Sequence, residues 1–262
     1  MSAALRYEWV RITTVRSTRI SLVLAVLFAM GLGYLATNPN YNEFDDQGLP
    51  VGPGTVDWYA AFAFPLLIMA VIASVLAAQS VGQEYRFGLI RLTLTAFPRR
   101  GRILTAKILM VVLASVVVTL LSYLGSWIGV ALHGYPTPPA NVVETPDGTF
   151  FLRGVVFVVL WALSAFALAG LTRQTAVGIA VPVISGLIAE NIVATLLRDR
   201  AGWLVDVLPW STASRWASSP LEAEPGVVVD SPPVGWSALG VFAVWVAILV
   251  AFEVVAFLRR DA

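Results

Sequence analysis

Residues 58–81, WYAAFAFPLLIMAVIASVLAAQSV, run for 24 positions without an Asp, Glu, Lys, Arg or His. Residues 82–107, GQEYRFGLIRLTLTAFPRRGRILTAK, then hold six of the chain's 17 basic residues: Arg86, Arg91, Arg99, Arg100, Arg102 and Lys107. A helix of about 20 apolar residues crosses a hydrocarbon layer ~30 Å thick, so the first stretch reads as a membrane span and the second as the charged connection that follows it. The pattern recurs. Charge-poor runs cover approximately 20–37, 58–81, 108–132, 154–172, 175–197 and 234–258. Charged residues make up 13% of the chain, against about a quarter in ordinary soluble domains, and the mean hydropathy is +0.80. The sequence predicts an all-α integral membrane protein, residues 1–262 forming a single domain of six transmembrane helices.

Arginine placement orients the chain. With six spans both termini share a side, and segments 1–19, 82–107, 173–174 and 259–262 on that side hold 13 of the 17 basic residues. No Lys or Arg occurs between Arg19 and Arg86, while the first opposite loop carries Glu43, Asp45, Asp46 and Asp57. Both termini are therefore expected in the cytoplasm of a cell-membrane protein. A 19-residue basic leader and the lack of an A-x-A-like site make the first run an uncleaved span rather than a signal peptide. Residues 1–17 mix Leu5, Trp9, Val10 and Ile12 with Arg6, Arg11 and Arg16, as an interfacial helix does. Residues 198–233 include AGWLVDVLPW, too short to span, which predicts an interfacial or re-entrant external segment between spans five and six. Trp58, Trp127, Trp203, Trp210, Trp216 and Trp236 fall near the outer boundary, as an aromatic belt would.

Several chemistries are excluded. There is no cysteine and one histidine, His133, so no thiolate or histidine metal cluster forms within one chain, and no metal is expected. No Ser/His/Asp set or paired membrane acids can be assembled, so there are no catalytic candidates. No basic patch lies outside the membrane-flanking segments, which excludes nucleic acid as a partner.

The 82–107 connection is more than a topological charge. Phe87, Ile90 and Leu94 recur at helical spacing, with Arg86 and Arg91 on another face, predicting a short amphipathic helix over EYRFGLIRLTL that ends at Pro98. The positive-inside rule and docking to a partner both account for it. The segment resembles the first cytoplasmic loop of permease subunits of the type-2 ATP-binding-cassette (ABC) exporter family. In that family an acidic residue, a Gly, a Pro-x-Arg and a downstream Lys recur between spans two and three, and Glu84, Gly88, Pro98 with Arg100, and Lys107 match them. Gly88 is followed by Leu89 and Ile90 where many relatives have a Thr, which leaves the subfamily open. The resemblance implies a permease domain whose loop forms a coupling helix to a cytoplasmic ABC ATPase, present in two copies, with a second permease subunit in a homo- or heterodimer. Gln83, Glu84, Tyr85, Arg86, Phe87, Gly88, Arg91, Pro98, Arg99, Arg100 and Lys107 would form the ATPase-coupling loop. Glu84 and Arg86 would contact the ATPase or the N-terminal inner helix, Gly88 would allow close backbone approach, and Arg99 and Arg100 would sit at the lipid headgroups. The chain has no G-x-x-x-x-G-K-[ST], so ATP and Mg would be bound by the partner ATPase. The implied function is efflux of a lipophilic small molecule or drug, a peptide or an envelope component.

In the fifth span Gly178, Pro182, Gly186 and Glu190 are spaced by four, giving a kinked helix with a groove for another backbone. Glu190 is either a polar spot on a translocation path or a structural carboxylate paired with Arg198 or Arg200, or hydrogen-bonded. In the resembling family spans two and five flank the central path, which makes Phe62, Phe64, Pro182, Glu190 and Asn191 candidates for a substrate path or gate. Glu253 is expected in an interfacial ion pair with Arg259 or Arg260, and Gly125 and Gly129 form a helix-packing G-x-x-x-G. An ion-coupled secondary transporter using Glu190 and a non-transporting membrane scaffold are the competing functions.

Overall fold

The computed structural model describes residues 3–14, 16–38, 55–56, 59–96, 99–132, 148–217 and 233–259. Its elements are α1 (Ala3–Thr14), α2 (Arg16–Leu35), α3 (Phe64–Arg86), α4 (Ile90–Ala96), α5 (Arg100–Ala131), α6 (Phe150–Thr172), α7 (Thr175–Ile184), α8 (Glu190–Val205), α9 (Pro209–Ala213) and α10 (Gly235–Arg259). A π-helical turn, Tyr59–Ala63, leads into α3, and another, Ser185–Ala189, joins α7 to α8. The one strand pairing among the described residues is a two-residue antiparallel contact, Thr37–Asn38 with Thr55–Val56.

Six helical stretches are long and apolar enough to cross a membrane: Thr18–Leu35, Ala60–Arg86, Arg100–Ala131, Phe150–Thr172, Thr175–Arg198 and Gly235–Arg259. The predicted count holds, but two boundaries move. The second span continues to Arg86 and the third begins at Arg100, so the charged connection is only Phe87–Arg99. The charges of "EYR" (84–86) and "RGR" (100–102) extend the helices rather than lie in a loop, because nothing before Gly88 or after Arg99 interrupts the helical hydrogen bonding.

Spans two, three and four make the centre: 56%, 50% and 61% of their most apolar windows are buried, against 22%, 17% and 22% for spans one, five and six. Small residues set the closest approaches, as expected where packing rather than water expulsion holds helices together. A Cβ on Gly125 or Gly129 would strike the α2 backbone at Val26 or Met30, and one on Gly33 would strike Ser126. The G-x-x-x-G of span three thus seats α5 against α2. Gly178 does the same for α7 against Ala165 and Ala169 of α6. Pro182 lies inside α7, and a π-helical turn begins three residues after it.

The segment after span five departs from a simple interfacial helix. Helix α8 bends at Ala201 (φ −154°, ψ 57°), and α9 and the turn Ser214–Ala217 then fold back into the bundle. Trp210 and Trp216 are therefore buried rather than part of a belt. The Trp216 ring stacks on Phe157 at 5.7 Å and lies 5.2 Å from Phe150, and Trp210 lies 6.4 Å from Phe242. Trp203 and Trp236 stay exposed as predicted, and Trp58 lies outside the described residues.

Candidate functional site at the basic end of the bundle

Four segments meet at one end: α1, the end of α3 with α4, the start of α5, and the turn between α6 and α7. Their convergence is set by charge. The Lys107 ammonium of α5 donates to Glu8 Oε1 of α1 at 2.7 Å, to Glu84 Oε1 of α3 at 2.5 Å and to the Ser80 carbonyl at 3.0 Å. Arg11 Nη1 donates to Glu84 Oε1 at 3.0 Å and to the same Ser80 carbonyl at 2.9 Å, and Arg11 Nη2 lies 3.4 Å from Glu8 Oε2. Glu8, Glu84 and Lys107 are at most 2% exposed. Two acids and two bases cancel, which is how such a cluster survives without water; removing one member leaves an uncompensated buried charge. Beside it a cavity of about 30 Å³, room for a water, is lined by Arg11, Ser80 and Gln83 among others.

Glu84 and Lys107, taken from the sequence as coupling-loop residues, thus face inward. Of the two contacts expected of Glu84, the structure makes the one to the N-terminal helix. Glu8 and Arg11 were not anticipated. The signal was present, since Glu8 is the sole acid before Glu43 and Lys107 is the only lysine in the chain.

The amphipathic helix predicted over EYRFGLIRLTL is broken in two at Gly88. The Phe87 N–H closes α3 on Gln83 O, the Gly88 N–H bonds Tyr85 O, and Gly88 takes φ +65°. A Cβ there would meet nothing within 4 Å, so this glycine serves the left-handed turn and not a close approach within the chain. Helix α4 then turns Ile90 and Thr93 inward, with Leu94 half-buried. The break takes Phe87 off that face. Phe87 and Leu92 are 64% and 67% exposed, and Leu89, Arg86 and Arg91 are exposed beside them. The Arg86 guanidinium lies 5.5 Å from the Phe87 ring centroid, a cation–π distance. Arg99 is exposed and Arg100 half-buried; Pro98 lies outside the described residues.

The end of α3 also touches the α6–α7 turn and the start of the fifth span. Arg173, at φ 59° where α6 ends, sets its guanidinium 5.4 Å from the Tyr85 ring. A Cβ on Gly82 would collide with Thr175 at the start of α7. The end of α3 and the first residue of α7 are therefore in close contact.

The residues proposed for a path do not gather. Phe62 is buried in an aromatic cluster, 6.2 Å from Tyr123, 5.8 Å from Trp127 and 5.5 Å from Phe151. Phe64 is exposed, and Pro182 is buried. Glu190 is not paired with Arg198 or Arg200. Its Oε2 accepts from the backbone N–H groups of Trp210 (2.8 Å) and Ser211 (2.7 Å), the first free donors of α9, whose N-cap, Leu208, has no side-chain acceptor. Asn191 is exposed, and its Nδ2 donates to Gly186 O at 3.1 Å. Glu253 is buried with its carboxylate against Gly170, in the last turn of α6.

A six-span helical bundle with a paired-charge cluster and a short exposed helix at one end defines a polytopic membrane subunit. The family model described as "ABC-2 family transporter protein" matches residues 5–189, most of the chain, and the protein belongs to that family. The match takes in most of α1, the Glu8–Arg11–Glu84–Lys107 cluster with α4, and the fifth span as far as Ala189. Membership makes it the membrane subunit of an ABC transporter and implies a partnering ATPase subunit. No curated protein matches the chain.

Proposed function

We propose that this chain is the membrane-spanning subunit of an ATP-driven exporter, working as a dimer of permeases with two copies of a separate ATPase that supply ATP and Mg. Both termini lie in the cytoplasm, and the ATPase seats on α4. The observation that carries this reading is the surface of Phe87, Leu89 and Leu92, apolar, exposed and flanked by Arg86 and Arg91, held on a rigid base by the Glu8–Arg11–Glu84–Lys107 cluster. Apolar side chains exposed among charges at a membrane-flanking end mark a protein contact. A push on α4 reaches span three through Lys107, the N-terminal helix through Glu8, and span five through Gly82 and Tyr85. Efflux of a lipophilic small molecule, a peptide or an envelope component accords with a family of transporters and a greasy bundle.

Glu190 favours this reading over ion coupling. A carboxylate capping a buried helix with two backbone donors has a structural task, and freeing it to exchange an ion would release α9. The test is co-purification of the tagged chain in mild detergent, with Phe87→Glu/Leu92→Glu beside the parent. A P-loop ATPase recovered with the parent and lost with the variant, at equal yield and dispersity, is the expected result. An intact complex lacking any ATPase would overturn the proposal.

A further inference from the structure

A groove of about 500 Å³ lies where α1, the end of α4 and the first three turns of α5 meet. Its floor is apolar, with Ala4 and Ala106 buried and Leu5 and Leu109 at its sides, and Arg99 and Arg102 stand exposed at its rim. Among the described residues no acid lines it, and the sequence holds no Asp or Glu between Glu84 and Glu144. The amide of Gly101, in the first turn of α5, is among the donors that a helix leaves open at its N-terminus. The groove opens onto an exposed apolar stripe that runs the length of α5, from Leu109 through Leu113, Val117, Leu120 and Leu124 to Ile128. The spacing of four, four, three, four and four keeps these on one face of the helix.

We propose that this groove is a binding site for an anionic phospholipid of the leaflet on the basic side. The phosphate is held by Arg99 and Arg102 and the acyl chains lie along the Leu109–Leu113–Val117 stripe. Position and charge together select the occupant. The rim stands where α5 enters its spanning stretch, so the anion there is a headgroup, and guanidinium pairs phosphate in a two-pronged geometry. A soluble phosphate would use the rim and leave the apolar floor and stripe unfilled; a second copy of this chain would cover the stripe but bring no anion that the structure shows. The site requires only that the chain spans a bilayer, and stands whether or not α4 holds an ATPase. By holding the start of α5 and the first turns of α1 together, the lipid would steady the same two helices that Glu8 and Lys107 join.

Native mass spectrometry of the detergent-purified transporter, with any partner that accompanies it, tests this with phosphatidylglycerol and phosphatidylcholine of matched chains. Four proteins are compared: the parent, Arg99→Gln/Arg102→Gln, Gly101→Phe, and Arg198→Gln/Arg200→Gln as a control at the opposite end. Gly101→Phe puts bulk into open space at the groove and leaves every charge in place. Phosphatidylglycerol retained by the parent and the control, and about 25-fold weaker in the double arginine variant, is the expected result, since each interfacial arginine contributes roughly fivefold to anionic-lipid affinity. Weakening in Gly101→Phe as well separates a shaped site from net charge. Equal retention of the two lipids by the parent, or undiminished phosphatidylglycerol in both groove variants, overturns the proposal. Displacement of the lipid by millimolar inorganic phosphate would assign the rim to a soluble anion and overturn it too.

Discussion

Lys107, the chain's only lysine, has its side chain 1% exposed between Glu8 and Glu84. It should therefore resist an amine-reactive reagent in the folded protein and react once the protein is denatured. Mass spectrometry of the tryptic peptides reads this directly; rapid labelling without unfolding would contradict the cluster. Lys107→Met leaves two buried carboxylates facing Arg11 alone, and should destabilise by about 3–5 kcal/mol. Glu84→Gln/Lys107→Met, which restores the charge balance, should cost less than the sum of its single changes, since coupled neighbours do not add. Thermal midpoints of the single and double variants check this. The pairing could not be read from sequence because its members lie 99 and 23 positions apart, and their encounter depends on how α1 lies against α5. What sequence did offer was a lone acid in a basic leader and a lone lysine, each the odd residue of its segment.

At the scale of elements, one carboxylate organises a whole segment. Glu190 supplies acceptors to the Trp210 and Ser211 amides and so fixes where α9 begins, and Gly186 makes room one turn earlier for Trp161 and Trp210. Glu190→Ala should open the start of α9 at a cost of ~1 kcal/mol or more, whereas Glu190→Gln retains a carbonyl acceptor and should stay close to the parent. Hydrogen–deuterium exchange at Trp210 and Ser211 distinguishes the two. Acceleration in Ala alone is the expected pattern; transport abolished equally by Gln and Ala would point to the carboxylate's charge and to ion coupling. Helix-forming stretches were legible, because six apolar runs announce themselves without regard to their neighbours. The break at Gly88 was not. Period alone joins Phe87 to Ile90 and Leu94, and only the left-handed turn at Gly88 rotates Phe87 outward. The burial of Trp210 and Trp216 was hidden for a similar reason: a tryptophan near a boundary looks the same in sequence whether it meets lipid or folds inward.

For the whole molecule, the arrangement places most of its basic charge at one end and ties that end together across the bundle. Spans two, three and four form a closely packed middle, while spans one, five and six show most of their surface outward, the fifth only 17% buried within one chain. That distribution suits a subunit that packs against another chain as well as lipid. The six spans and the N-terminal helix were visible in sequence, and the family resemblance rested on Glu84, Gly88, Pro98 with Arg100, and Lys107. The structure turns Glu84 and Lys107 into the buried cluster, leaving the exposed face of α4 to reach outward. The measurement that tests this most directly is photo-crosslinking in the native membrane from a benzophenone amino acid placed at Leu92, with Val193 as the control position. The account predicts a crosslinked product from Leu92 that contains a P-loop ATPase and is absent from Val193. Crosslinks from Leu92 to lipid alone, or to a protein without a nucleotide-binding domain, would contradict it.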